Sequence, residues 1–377
     1  GMTYFSFSDI LGDHKVSFGT EMVLTLENSD YFFQYAYLKN RLDYYFVGFQ
    51  TANFFPVDMV SLGRLRHYGF QTLVSHPFSK FQRFDYALSV HNINYSILKQ
   101  QSPDAFGQIQ YKRERESNYS AFLPSFSWVF DNSVFGFSGP IDGFRKNTTL
   151  TISPGGKDKL KFQTIKADIR KYWRFSKDYT FAVRAFLGKS LGKNKQKFFL
   201  GGMPYLLAGG GETNGIDDNS LFREVILDTA NSSLIHDLYF TEYAFPLRGA
   251  RFAERFGNTT SLINLEIRFP FVNYLALGFP LKVVFGNIRG HAFMDIGAAW
   301  DETREFDKTI RYGENNSRWP LRYRGDISGD FSPWVTTIGL GTKINLGYFL
   351  LRIETAWDKN INGYSKPQWY FSLGPDW

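Results

Sequence analysis

The chain has 377 residues and no cysteine, which excludes disulfides and thiolate chemistry. Its net charge of +7 is spread without a compact Lys/Arg cluster, so no nucleic-acid partner is expected. No apolar run reaches the roughly 18 residues that a membrane helix needs, while 19% aromatic content favours strands and membrane–water interfaces.

The first residues, GMTYFSFSDI, lack the basic start and long apolar centre of a signal peptide. From there the dominant signal is alternation. In HKVSFGTEMVLTL, residues 14–26, Val16, Phe18, Thr20, Met22, Leu24 and Leu26 line one face. Lys15, Ser17, Gly19, Glu21, Val23 and Thr25 line the other. In DYTFAVRAFLG, residues 178–188, Tyr179, Phe181, Val183, Ala185 and Leu187 oppose a face that carries Arg184. SLINLEIRF (261–269) sets Ile263, Leu265, Ile267 and Phe269 against Asn264, Glu266 and Arg268. FLLRIETAWD (349–358) sets Leu351, Ile353, Thr355 and Trp357 against Arg352, Glu354, Ala356 and Asp358.

Turn-like stretches ENSD (27–30), LKNRLD (38–43), SHPFSK (75–80), SPGGKD (153–158) and FSKDY (175–179) separate such segments, and longer linkers fall at 98–117, 191–258 and 301–332. The pattern predicts fifteen strands, at about 2–10, 14–26, 30–38, 42–51, 64–75, 80–97, 118–131, 142–153, 159–174, 178–190, 259–270, 281–300, 333–345, 348–358 and 367–377. Short turns alternating with long loops are the habit of outer-membrane barrels, which normally have an even strand number. With the long loops on one side, parity makes residues 2–10 the second strand. The expectation is therefore an all-β transmembrane antiparallel barrel of sixteen strands, whose first strand precedes residue 1. A soluble β-sandwich or propeller also alternates. Its exposed faces are polar and its turns recur every 8–12 residues or so, whereas these segments are long and carry ionisable residues at successive inward positions.

Three motifs go further. FPLRGARFAERFG (245–257) lies inside the linker before SLINLEIRFP, that strand carries Glu266, and HAFMDIGAAW (291–300) carries Asp295 on the next. By parity both acids point into the lumen, where an arginine reaching in from a loop can form charge-assisted, bidentate pairs. The chain ends in WYFSLGPDW, with Trp369, Phe371, Leu373 and Trp377 at even spacing and Gly374 on the other face.

This set resembles the bacterial surface-antigen, or BamA-type, outer-membrane barrel family. Members carry an Arg-Gly element in a sixth extracellular loop that folds back into the barrel and contacts acids on the next two strands. Arg248-Gly249 matches that element, with Leu247 for the usual Val and Ala250 for the usual aromatic. Glu266 and Asp295 match the acids, and WYFSLGPDW matches the closing strand. The motifs cover mainly residues 142–377, and residues 2–141 follow by alternation only. The spelling is similar to a subgroup in which a TolB-like propeller precedes the barrel. Neither such a propeller nor POTRA modules lie in this sequence.

The resemblance implies a single barrel domain over 1–377, with residues 191–258 as the sixth loop. It implies a bacterial outer-membrane location, with lipid and client outer-membrane or secreted polypeptides as partners. Periplasmic or lipoprotein partners follow from the same resemblance. The implied function is outer-membrane protein insertion or polypeptide translocation, and the alternative is a passive pore or structural barrel that anchors a propeller or partner complex. No GxSxG, P-loop or histidine-rich metal set occurs, so neither enzyme activity nor a cofactor is expected.

Overall fold

A computed structural model describes residues 3–21, 28–56, 61–101, 111–136, 139–156, 159–202, 226–227, 242–244, 246–250, 255–278, 283–300, 310–311, 321–322, 330–331, 334–346, 350–360, 363–364 and 367–373. Among the described residues fifteen longer strands form the wall in chain order, with the short strands Val134–Gly136 and Gly363–Tyr364 attached to it: β1 Thr3–Ser8, β2 His14–Glu21, β3 Asp30–Tyr37, β4 Asp43–Pro56, β5 Ser61–Pro77, β6 Gln82–Gln100, β7 Tyr111–Asp131, β8 Gly139–Gly156, β9 Lys159–Ser176, β10 Tyr179–Gly192, β11 Thr259–Leu277, β12 Val283–Trp300, β13 Trp334–Asn345, β14 Leu350–Asn360 and β15 Gln368–Leu373. Each pairs antiparallel with the next, so the wall is an up-and-down meander. Among the described residues there is no α-helix and no pairing between β1 and β15.

Period two decides which side chains meet lipid. Phe70, Leu88, Phe126, Leu150, Ile165 and Trp173 stand exposed on one face. The opposite face of the same strands carries the ion pairs and hydrogen bonds of the interior. A barrel wall needs this division, because lipid offers no partner for polar groups while a wet lumen does. The wall is strongly curved. Arg268 of β11 donates from Nη1 to the Pro140 carbonyl of β8 at 2.7 Å. Three strand spacings, about 14 Å in a flat sheet, separate those strands, so only curling brings them within reach of one side chain.

All the connections after odd-numbered strands are short, with 132–138 the longest, while the 193–258 and 301–333 connections follow β10 and β12 at the other end. β10 runs to Gly192, so the long loop begins two residues later than expected.

Two strand pairs outrun the alternation. Residues 98–117 were expected as a linker, yet β6 continues to Gln100 and β7 begins at Tyr111. On the outer face of β6, Tyr86, Leu88 and Val90 give way to Asn92, Asn94 and Ser96. Asn94 Nδ2 donates to Asn118 Oδ1 of β7 at 2.6 Å, and Arg113 Nη1 to Glu116 Oε2 at 2.9 Å. Asn94 and Ser96 are buried and hydrogen-bonded rather than lipid-exposed, so the apolar period vanishes while the ladder persists. Likewise β11 passes Pro270, expected as its end, because the register shifts between Pro270 and Val272. A bulge accommodates the residue that lacks an N–H.

Candidate functional site

The long loop returns to the wall before β11. Phe198–Leu200, Glu242–Ala244 and Arg255–Gly257 form a small three-stranded sheet inside the barrel. Leu200, Ala244 and Leu247 of the loop bury themselves against Leu262, Ala299 and Val335 of the wall. This apolar layer seals the loop on the interior face and dries the site beneath it.

Under that layer sits Arg248, 2% exposed. Its Nε and Nη2 donate to Asp295 Oδ2 and Oδ1, both at 2.9 Å, in a bidentate fork. Its backbone N–H donates to the same Oδ2 at 3.0 Å. Nη1 donates to Glu266 Oε2 and to Glu354 Oε1, each at 3.1 Å. The guanidinium carbon lies 3.5 Å from the centroid of the Phe293 ring, a close cation–π approach. Only an arginine offers enough donors in one plane to serve three carboxylates at once.

The remaining lone pairs are also used. Glu266 Oε1 accepts from Arg268 Nε at 2.7 Å and from Lys343 Nζ at 2.6 Å. His291 Nε2 lies 2.7 Å from Glu354 Oε1. Three basic side chains (Arg248, Arg268, Lys343) thus face three carboxylates (Glu266, Asp295, Glu354). Burying an ion is costly unless it is paired, and each charge of this near-neutral set has an oppositely charged partner.

Gly249 adopts φ +92°, where side chains are strained, and a Cβ there would lie 3.0 Å from the Ala356 Cβ. Its N–H donates to the Tyr370 hydroxyl of β15 at 2.6 Å, and that hydroxyl donates to Gln368 Oε1 at 2.9 Å. Asn264 Nδ2 donates to the Pro246 carbonyl at 2.8 Å, fixing the chain just before the arginine. Ala250, in place of an aromatic, is buried, and its carbonyl sits where a Cβ on Gly202 would collide at 2.2 Å. Phe252 lies outside the described residues.

The four residues singled out from the loop and strand motifs therefore lie together: Arg248, Gly249, Glu266 and Asp295. On the closing strand Trp369 is exposed, Phe371 shares its outward face, and Leu373 ends β15. Gly374 and Trp377 lie outside the described residues. Sequence reasoning missed Glu354, Lys343, His291 and Tyr370 as partners. Glu354 was placed on the inward face of its strand, and period two on HAFMDIG sets His291 and Phe293 on the face of Asp295. Their contact with a loop residue carries no local signature.

A curled antiparallel meander, lipid-facing without and ion-paired within, with its long loops at one end, is a transmembrane β-barrel of the outer-membrane type. The chain belongs to the Omp85 superfamily, whose domain matches residues 61–377. The match reaches back through β5 to β7, where the quoted motifs did not extend. BamA from Haemophilus ducreyi lacking POTRA domains 1-3 shares the fold at TM-score 0.57 and 11% identity, over 99% of this chain and 66% of that one. CdiB from Acinetobacter baumannii (TM-score 0.47, 10% identity, 99% and 56%) and CdiB from Escherichia coli (0.42, 10%, 99% and 57%) are similar at lower scores. The chain spans less than two thirds of the length of each of these solved chains. No curated protein matches it in sequence. Its place is the bacterial outer membrane.

Proposed function

We propose that the protein acts in outer-membrane protein insertion or polypeptide translocation, on client outer-membrane or secreted polypeptides, with Arg248 as the lock that sets the state of the barrel. One observation carries the reading. The Arg-Gly element is tied at once to β11 through Glu266, to β12 through Asp295, to β14 through Glu354 and to β15 through Tyr370. A loop held this way fixes the end of the wall that finishes in β15. That strand edge is where a client strand can pair by β-augmentation. Holding or releasing these strands together is a control point, because the ties to β11, β12 and β14 all run through one buried guanidinium and the tie to β15 runs through the glycine next to it.

The test is the folding rate of an outer-membrane client in reconstituted vesicles. Acceleration by the wild-type protein, lost or altered in Arg248→Ala, supports the reading. No acceleration by a correctly folded wild type sinks insertion and leaves translocation to be measured as client passage across the same vesicles. The second reading is a structural barrel that anchors a propeller or partner complex. The charge balance and burial of the cluster favour it, since a neutral, dry plug stiffens a wall without any need to move.

A further inference from the structure

Charge on the lipid face is the exception in this barrel, and two such charges lie side by side. Lys146 of β8 faces outward opposite Ile169 of β9, and Lys171 of β9 faces outward opposite Phe144 of β8. They are therefore diagonal neighbours on adjacent strands, roughly 7–8 Å apart at the backbone. Lys146 Nζ lies 3.9 Å from the centroid of Trp128, and Lys171 Nζ 5.6 Å from that of Trp173. Both rings remain substantially exposed, at 37% and 43%. Among the described residues neither ammonium has a carboxylate partner. Of the nearby acids, Asp131 pairs with Arg145 and Asp178 with Arg289, while the exposed Asp142 accepts the Gly143 N–H at 2.8 Å and makes no ion pair with either lysine.

Depth explains how the wall tolerates them. Trp128 and Trp173 lie close to the ends of β7 and β9, at the end of the barrel with short turns, which outer-membrane barrels turn to the periplasm. A lysine near that interface costs little, because its stem lies along apolar surface while its head reaches the headgroup region. Toward mid-membrane the same three strands present Phe126, Leu150 and Ile165 directly opposite one another, all exposed. An apolar track thus leads up from two lysines framed by indoles, and Lys189 of β10 stands opposite Ile165 at its far end.

We infer that Lys146 and Lys171, with Trp128 and Trp173, form a binding site for the phosphate headgroup of an anionic phospholipid in the periplasmic leaflet. The phosphate sits between the two ammonium groups, and the acyl chains run along Phe126, Leu150 and Ile165. The indoles hold the lysine stems in place and mark the depth of the headgroup. An acidic protein segment is a poorer fit, since the patch continues into lipid-facing apolar surface rather than into a groove with hydrogen-bonding edges.

The test is native mass spectrometry of the full chain released from micelles holding equal amounts of phosphatidylglycerol and phosphatidylethanolamine with matched chains. The expected result is retention of phosphatidylglycerol over phosphatidylethanolamine on the order of tenfold, from two basic groups near the surface. Lys146→Gln/Lys171→Gln abolishes that preference, and Lys146→Arg/Lys171→Arg keeps it. Heat-modifiable mobility shows that each variant is folded. Equal retention of the two lipids by the wild type overturns the inference, as does undiminished preference in the folded glutamine variant. If the glutamine variant does not fold, Trp128→Leu/Trp173→Leu takes its place, with loss of preference expected and full retention again counting against the site.

Discussion

The two halves of the inner wall are built to different rules. From β3 to β7 the inward side chains are mostly small, apolar or neutral: Ala36, Phe49, Leu65, Ala87 and Leu123 among them. Two histidines meet there, with His67 Nε2 2.9 Å from His91 Nδ1 and the Phe49 ring edge-on to His67 at 5.0 Å, and near the short-turn end Arg83 pairs with Asp85 at 3.1 Å. From β9 to β14 the wall is ionic. Asp168 takes both Arg170 and Arg184, and the Arg248 cluster follows on β11 to β14. Both halves alternate equally well. They differ in what enters the lumen, because the charged half is the one that receives the loop.

That contrast can be broken from the ionic side first. Arg248→Ala leaves three buried carboxylates facing two basic side chains, and loss of about 3–5 kcal/mol of stability is expected. The midpoint of heat-modifiable mobility measures it, and protease cleavage within 193–258 should become easier at the same time. Wild-type values in both assays would remove the lock. Gly249→Ala keeps every charge but forces a side chain into a left-handed backbone against Ala356, so about 1–3 kcal/mol is expected in the same assay. A neutral outcome would mean that the loop relaxes without releasing Arg248. The smallest effect belongs to the other half. His67→Phe exchanges one neutral hydrogen bond for added aromatic packing beside Phe49, and a change within about 1 kcal/mol is expected. A loss as large as that of Arg248→Ala would show that the neutral wall is as tightly coupled as the ionic one.

Much of the wall was legible before the structure. HKVSFGTE and SLINLEIRF assign their own lipid and lumen faces, because side-chain direction in a strand follows from position alone. The Arg-Gly element, Glu266 and Asp295 could be named together because the two acids sit on consecutive strands right after the loop. Legibility failed where the surroundings changed. YKRERES (111–117) is strand without apolar alternation in its sequence, and Ser96 of β6, opposite Glu116, is buried in polar contacts rather than set against lipid. It failed again at Pro270, where a bulge lets the strand continue past a residue that ordinarily ends one.

Alternation, parity and loop length were enough to define a barrel wall, its two faces and its long-loop end. All three are local properties of an antiparallel meander, written residue by residue. The lock was not local. Glu354 lies 106 residues from the arginine it meets, and Tyr370 lies 121 residues from the glycine N–H it accepts. Only the curvature of the wall and the path of the loop beneath its apolar seal could decide that these groups share one dry site. There the desolvation of each charge demands a partner, and the fold supplies the partners from the loop and from β11 to β14.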